Sequence, residues 1–192
     1  MNSMRRPESP PVWQLVSGAV ASCVLGWFAF VRGVNVPVLS LADLGFHELG
    51  HLLTYVFPDL VTAMMGSITQ VAVPWALAAY FFVGRRDMLG GTFCLAWAGT
   101  SAQNASVYIA DAPYESLQLI GGSHDWAFTL GADGFDVLHR AADIAAAVRA
   151  VGLVMLLNAL TICLVGLVLC ARRRPESRDA LSSRADAVGT AP

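Results

Sequence analysis

Residues 34–57 read VNVPVLSLADLGFHELGHLLTYVF, and this stretch decides what kind of fold the chain adopts. It is long and apolar enough to cross the hydrocarbon of a bilayer as a helix. Within it, residues 47–51 (HELGH) match the H-E-x-x-H pattern. Residues four apart lie on the same face of a helix, so His47 and His51 can hold one metal ion together. The stretch therefore predicts a lipid-embedded helix that carries a metal centre.

The composition of the whole chain is that of an integral membrane protein. Hydrophobic residues make up 56% of the 192 residues and charged residues only 14%, whereas soluble domains carry about 25% charged residues. A chain of this length is expected to form one membrane domain. The formal net charge of −2 gives no case for nucleic-acid binding, so membrane lipids are the surroundings that we expect.

Five apolar stretches are each long enough to span the membrane as a helix. They cover residues 12–31, 34–57, 60–83, 88–110 and about 145–171. The stretches are too long and too uniformly apolar for the strands of a membrane barrel, which leaves helices as the spanning elements. The sequence thus predicts an all-α, polytopic transmembrane helix bundle of about five spans, which occupies residues 12–171.

The segments outside and between these spans are more polar. Residues 1–11 form an N-terminal tail, residues 111–143 form the one substantial polar connection, and residues 172–192 are predicted to be a disordered C-terminal tail. The third span is irregular, because Gly66 and Pro74 interrupt it. It is either a broken or re-entrant segment beside the metal helix, or an ordinary transmembrane helix with a proline kink.

A catalytic zinc ion generally has three protein ligands, and the histidine pair supplies only two. The third is expected from residues 121–126, which read GGSHDW. His124 is a candidate ligand, and Asp125 is a candidate either as a ligand or as the group that orients a ligand imidazole. A solvent-exposed loop with an ordinary His-Asp pair remains the alternative for this segment.

Asp111 is the rival candidate for the third ligand. It ends a span that also carries Gln103, Asn104 and Tyr108, whose polar groups can face the site. These three side chains can equally serve packing between helices, as polar residues do in many membrane bundles. If they face the site, Gln103 or Asn104 would add a hydrogen bond to the backbone of a substrate.

Glu48 lies beside the first histidine and suits the role of general base. It would take a proton from a water molecule and pass the proton to a leaving amine, while a zinc ion would polarise the carbonyl group under attack. Imidazole ligands combined with a carboxylate are a donor set that suits Zn²⁺. The sequence therefore predicts a zinc metalloendopeptidase that cleaves a transmembrane or membrane-adjacent peptide.

The HELGH sequence in an apolar helix, followed by a span that contains Gly, Ser, Gln and Pro, resembles the site-2-protease class of intramembrane zinc metalloproteases. The likeness covers roughly residues 45–131 and includes small bacterial membrane proteins of that peptidase-like group. It implies a metal held by His47 and His51, Glu48 as the catalytic acid and base, and a multi-pass location in a bacterial cell membrane. That class usually takes its third ligand from an L-D-G motif, whose loose counterpart here is residues 109–112 (IADA).

Two other interpretations remain open at this stage. The chain could be a non-catalytic metal-binding membrane protein, a degenerate relative of such peptidases, since it is small and has no L-D-G motif. A membrane di-iron desaturase or hydroxylase is a poor match, because those sites need many histidines and this chain has four. The substrate and the oligomeric state stay open.

Overall fold

The computed structural model describes residues 10–119 and 123–189, with side chains described as far as residue 172. Within these residues the chain is helical and contains no strand, which confirms the predicted all-α class. Almost all of the predicted N-terminal tail lies outside the described residues, and so do Gly121 and Gly122 of the predicted ligand segment.

The described part of the chain forms six α-helices. They are α1 (Val12–Gly26), α2 (Leu39–Thr54), α3 (Asp59–Ala79), α4 (Met88–Asp111), α5 (Asp125–Leu130) and α6 (Ala141–Gly189). Wider π-helical turns extend α1 through Trp27–Val31 and α3 through Tyr80–Arg85. A short 3₁₀ helix, Leu138–Arg140, leads into α6.

Local sequence signals explain several of the helix boundaries. Pro11 and Pro58 stand immediately before α1 and α3, where a proline ring fixes φ and removes an N–H that has no partner in the first turn. The side chain of Asp87 caps α4 by accepting hydrogen bonds from the backbone N–H groups of Leu89 and Gly90. With these signals, α3 and α4 each begin within a few residues of the end of the preceding helical segment.

Three of the described helices are long and apolar enough to cross a membrane. They are Val12–Val31, Asp59–Arg85 and Leu138–Arg172. α2 has only 16 residues, which gives a length of about 24 Å against a hydrocarbon thickness of about 30 Å. α4 is longer, but it is rich in Gly, Ala, Ser and Thr and is largely buried among the other helices. The predicted total of five spans is therefore not confirmed.

The third predicted span is one continuous helix, not a broken or re-entrant segment. α3 runs through both Gly66 and Pro74, and both residues are buried. A proline inside a helix removes the backbone hydrogen bond to the carbonyl four residues earlier, which here belongs to Gln70. The helix tolerates this loss, and the interruption that the sequence suggested does not form.

α4 lies at the centre of the bundle, and small residues let its neighbours come close. It packs against α1, α3 and α6, while α2 packs mainly on α3. At the crossing of α4 and α6, a Cβ atom on Gly99 would lie 2.6 Å from the carbonyl oxygen of Gly152, and the reverse also holds. Such close backbone approach is typical of helix packing in membranes.

Large apolar side chains cover the outside of this bundle. On α1, Trp13 and Val20 are exposed, and on α6, Val154 and Leu164 are exposed. A soluble monomer rarely presents so much continuous apolar surface to water. Together with the three long apolar helices, this surface is consistent with a membrane location.

The polar connection between α4 and α6 contains the short helix α5, which folds back onto α3. Trp126 is buried, and its Nε1–H donates a hydrogen bond to Ser67 Oγ on α3 at 2.9 Å. Trp126 and Leu130 also join a buried apolar cluster with Ile109 at the end of α4. These contacts fix the start of α5 against the bundle.

α6 is longer at both ends than the predicted last span. It begins at Ala141 and continues to Gly189, so it contains the last predicted span, about residues 145–171, and extends beyond it on both sides.

The α2–α3 contact gives a direct test of this packing. A Cβ atom on Gly50 would overlap the carbonyl oxygen of Met65 on α3. We expect Gly50→Ala to destabilise the protein by about 1–3 kcal/mol, because backbone atoms must move apart. Thermal unfolding in detergent measures the change.

Gly45→Ala is the matched control on the same helix. A Cβ atom on Gly45 would meet nothing within 4 Å. We expect this substitution to be neutral or to stabilise the protein by up to about 1 kcal/mol through helix propensity. Equal unfolding temperatures for the two variants would contradict the close approach of α2 and α3.

Candidate metal centre

One face of α2 is polar and points into the bundle. Its buried residues are Asp43, His47, Gly50 and Thr54, which recur at the spacing of a helix face. His51, one turn after His47, is partly buried, with 22% of its side chain exposed. The H-E-x-x-H motif therefore lies on a helix, as predicted, with both imidazoles turned inward.

Both imidazoles meet the carboxylate of Asp125, at the start of α5. His47 Nε2 lies 3.1 Å from Asp125 Oδ2, and His51 Nε2 lies 3.3 Å from the same oxygen. The ligand atoms of the three residues all lie within 4.8 Å of one another, so the group could hold a metal ion. α2 and α5 thus place a His-His-Asp group at one point.

The other nitrogen of each imidazole is engaged by an oxygen that only accepts hydrogen bonds. His47 Nδ1 lies 3.1 Å from Gln70 Oε1, and His51 Nδ1 lies 2.8 Å from the backbone oxygen of Thr62. Each Nδ1 must therefore carry a proton and donate it. In a neutral imidazole, the lone pair then resides on Nε2, the nitrogen that faces Asp125.

Two lone pairs and a carboxylate oxygen cannot stay this close without a shared positive charge. A proton or a metal ion can supply that charge. Around a tetrahedral zinc ion with bonds of about 2.0–2.1 Å, neighbouring ligand atoms lie about 3.3 Å apart. The distances of 3.1 and 3.3 Å from Asp125 Oδ2 to the imidazoles fit such a centre.

Gln70 holds the first imidazole in position through a chain of amides. Its side-chain Nε2 donates to the backbone oxygen of Ser101 and to Asn104 Oδ1, both at 3.2 Å. Asn104 Nδ2 in turn donates to Asn35 Oδ1 at 2.8 Å. These bonds set the orientation of the Gln70 amide, so that its oxygen faces His47.

Gly66 on α3 leaves the space in which the imidazoles converge. A Cβ atom there would lie 2.6 Å from His47 Nε2 and 2.7 Å from His51 Nε2. Any larger residue would place carbon at the point where a metal ion would bind. Gly66, which the sequence suggested as a break in the third span, thus leaves room for the two imidazoles instead.

Tyr108, near the end of α4, fixes the position of the Asp125 carboxylate. Its hydroxyl accepts a hydrogen bond from the backbone N–H of Asp125 at 3.0 Å and donates one to Asp125 Oδ2 at 3.2 Å. Burial alone would raise the pKa of Asp125, but the hydrogen bond from a protonated His47 and the positive charge of protonated imidazoles hold that pKa below the usual value. Asp125 is therefore an anion at neutral pH.

His124, predicted as a ligand, is not part of the group that the structure brings together. Its Nδ1 accepts a hydrogen bond from the backbone N–H of Ala127 at 3.2 Å and so caps α5. Its Nε2 faces Asp111 Oδ2 at 3.4 Å, and its ring stacks on Tyr108 with centroids 4.3 Å apart. His124 thus packs against Tyr108, the residue whose hydroxyl positions Asp125.

Asp111, the rival third ligand, is occupied elsewhere. Its carboxylate accepts hydrogen bonds from the backbone N–H groups of Ser116 and Leu117 and from the Ser116 hydroxyl. These bonds fix the turn after α4 and, with the His124 contact, use the carboxylate fully. Of the three candidates that the sequence offered, Asp125 is the one beside the histidine pair.

A cavity of about 620 Å³ opens beside the His-His-Asp group. Glu48 lines it, next to the histidines, and its side chain is exposed. The other walls combine apolar side chains with amides: Leu41, Leu44, Val107, Leu117, Leu119, Asn35, Asn104 and Gln118. The group is thus accessible to a molecule much larger than water.

No protein-family model matches the chain, and neither does any curated protein or solved structure. The likeness to site-2 proteases therefore stays a prediction from the motif. The assignment of the site rests on the geometry of His47, His51 and Asp125.

Metal binding tests the third ligand directly. Titration with Co²⁺, followed by its visible absorption, should show about one site per chain in the purified protein. We expect His47→Ala and Asp125→Ala to abolish binding. His139→Ala is the control, because His139 is exposed and is not one of the three converging residues. Undiminished Co²⁺ binding by Asp125→Ala would refute the assignment.

The role of Gln70 gives a finer test. Gln70→Met keeps the length of the side chain but removes the oxygen that accepts the Nδ1 proton of His47. Loss of such an orienting partner typically weakens metal affinity by about 10–100-fold. Competition with a chelator measures the affinity, and Gln118→Met, on the cavity wall, is the control. Equal affinities for both variants would contradict the orienting role.

Proposed function

We propose that the chain is a membrane-embedded zinc metallopeptidase that hydrolyses peptide bonds within or beside the bilayer. The observation that carries the proposal is the approach of His47 Nε2 and His51 Nε2 to Asp125 Oδ2, with both Nδ1 protons committed to other acceptors. Two histidines, one carboxylate and an open side match the ligand pattern of catalytic zinc sites.

The residues of the site divide the chemistry between them. His47, His51 and Asp125 would hold the zinc ion, which when bound acts as a Lewis acid toward water and the substrate carbonyl. Glu48 lies in the same cavity, where its carboxylate can take a proton from the attacking water and deliver it to the leaving amine. Tyr108 and Gln70 keep two of the ligands in place.

The shape and lining of the cavity suit a peptide substrate. Its apolar wall can receive aliphatic side chains, and the amides of Asn35, Asn104 and Gln118 can pair with exposed backbone groups. A peptide bond must be out of a helix to be attacked, so its N–H and C=O groups need partners of this kind inside a lipid environment.

The three long apolar helices support a membrane location for the activity. We extend this to a multi-pass arrangement in a bacterial cell membrane, which the likeness to the bacterial members of the site-2-protease class suggests. In such a setting the cavity beside α2 receives its substrate from the bilayer or from its surface.

The decisive variant is Glu48→Gln. It should retain the bound metal, since Glu48 is not one of the three converging ligands, and lose cleavage by about 100-fold or more, because general acid-base catalysis is removed. A panel of synthetic transmembrane peptides in detergent, analysed by mass spectrometry with Zn²⁺ present, provides the readout. Glu115→Gln is the matched control at an exposed glutamate outside the cavity.

Two outcomes would count against the proposal. Failure of the wild-type protein to bind zinc would remove its basis. Zinc binding with cleavage that is absent, or equal in wild type and Glu48→Gln, would favour the alternative of a non-catalytic metal-binding membrane protein.

A further inference from the structure

Asp43 is a buried carboxylate that the metal centre does not use. It lies on α2 one turn before His47, and only 5% of its surface is exposed. Its Oδ1 accepts hydrogen bonds from Trp97 Nε1 at 2.9 Å and from Ser101 Oγ at 2.6 Å. Among the described side chains, no arginine or histidine forms an ion pair with it. A charge buried in a membrane bundle is costly without a partner.

Gln103 on α4 presents an unpaired oxygen in the same region. Its side chain is buried, with 4% exposed, and its Oε1 has no hydrogen-bond partner among the described residues. Buried polar atoms without a partner are rare, because the loss of hydration is not repaid. Gln103 Oε1 thus has no hydrogen-bond partner, and Asp43 has hydrogen bonds but no counter-charge; one small cation bound between them would meet both needs.

Asp43 and Gln103 both line one small cavity. Its volume of about 20 Å³ is sufficient for one body the size of a water molecule. Ser40, Thr100 and Asn35 supply further oxygens on its walls. The non-helical segment between α1 and α2 also borders it, at residues 33–36, and the backbone carbonyl of Val36 there accepts the N–H of Ser40.

We propose that this cavity binds a sodium ion, held by Asp43 and Gln103 Oε1. The donors are all oxygen, the single carboxylate balances one positive charge, and the volume suits a small ion. Divalent Ca²⁺ would call for more carboxylates, and Mg²⁺ for a larger hydrated site. The site shares no ligand with the His-His-Asp group and does not depend on the proposed peptidase function.

Thermal unfolding of the full chain in detergent tests this proposal. The unfolding temperature is compared in NaCl, KCl and N-methyl-D-glucamine chloride at equal ionic strength and about pH 8, where carboxyl groups of ordinary pKa are ionised. We expect NaCl to raise it by about 5 °C over N-methyl-D-glucamine when the ion is in large excess of its Kd. KCl should have a smaller effect, because the cavity is small.

Two variants and a control assign the effect to the cavity. Asp43→Asn and Gln103→Met should each remove the sodium response. Asp133→Asn, the same substitution as the first but at an exposed carboxylate, should keep it. Gln103→Met replaces the amide, whose oxygen is unpaired, with a thioether and keeps the length of the side chain, so it remains informative if Asp43→Asn fails to fold.

The unfolding temperatures separate the sodium site from its alternatives. A sodium response in wild type and Asp133→Asn that is lost in Gln103→Met supports the proposal. Equal unfolding temperatures in all three salts would overturn it and assign the cavity to water or to a protonated Asp43. A sodium response that survives in Asp43→Asn and Gln103→Met would overturn it as well, because the ion would then bind elsewhere.

Discussion

The structure depends on one constraint. Each imidazole of the H-E-x-x-H helix has two nitrogens, and the Nδ1 nitrogen of each donates a hydrogen bond to an oxygen on α3. Gln70 and the backbone of Thr62 take the Nδ1 protons, so both Nε2 lone pairs must face Asp125. The remaining features follow from that requirement. α3 has to approach α2 closely enough to supply both acceptors, and only a glycine at position 66 leaves room for the rings to converge.

Much of this arrangement could be predicted from the sequence, because it depends on local spacing. The helical class follows from the long apolar stretches, the inward histidine pair from the motif, and the candidacy of Asp125 from the short GGSHDW segment in the polar connection. The choice among Asp125, His124 and Asp111 could not be made, since it depends on which side chains act as caps. His124 caps α5 and Asp111 fixes the turn after α4, whereas the approach of Asp125 to the histidines depends on the packing of α5 against α3.

The number of spans and the role of Gln70 show a second limit of the sequence. A count of apolar stretches by length includes α4, but its many Gly, Ser, Thr and amide residues make it too polar to rank with the three spanning helices, and it is largely enclosed by its neighbours. Gln70 stands out as an amide in an apolar stretch, yet nothing in its spacing connects it with a histidine 23 residues earlier. The connection arises from the crossing of α2 and α3.

The ligands of the centre are far apart in the order of synthesis. His47 and His51 are made early, whereas Asp125 follows 78 residues after the first of them and is held by Trp126 and Tyr108. A nascent or truncated chain that stops before α5 has the histidines but not the carboxylate. The His-His-Asp group is therefore complete only after α5 has packed, so the peptidase activity that we propose would be withheld until most of the chain has folded.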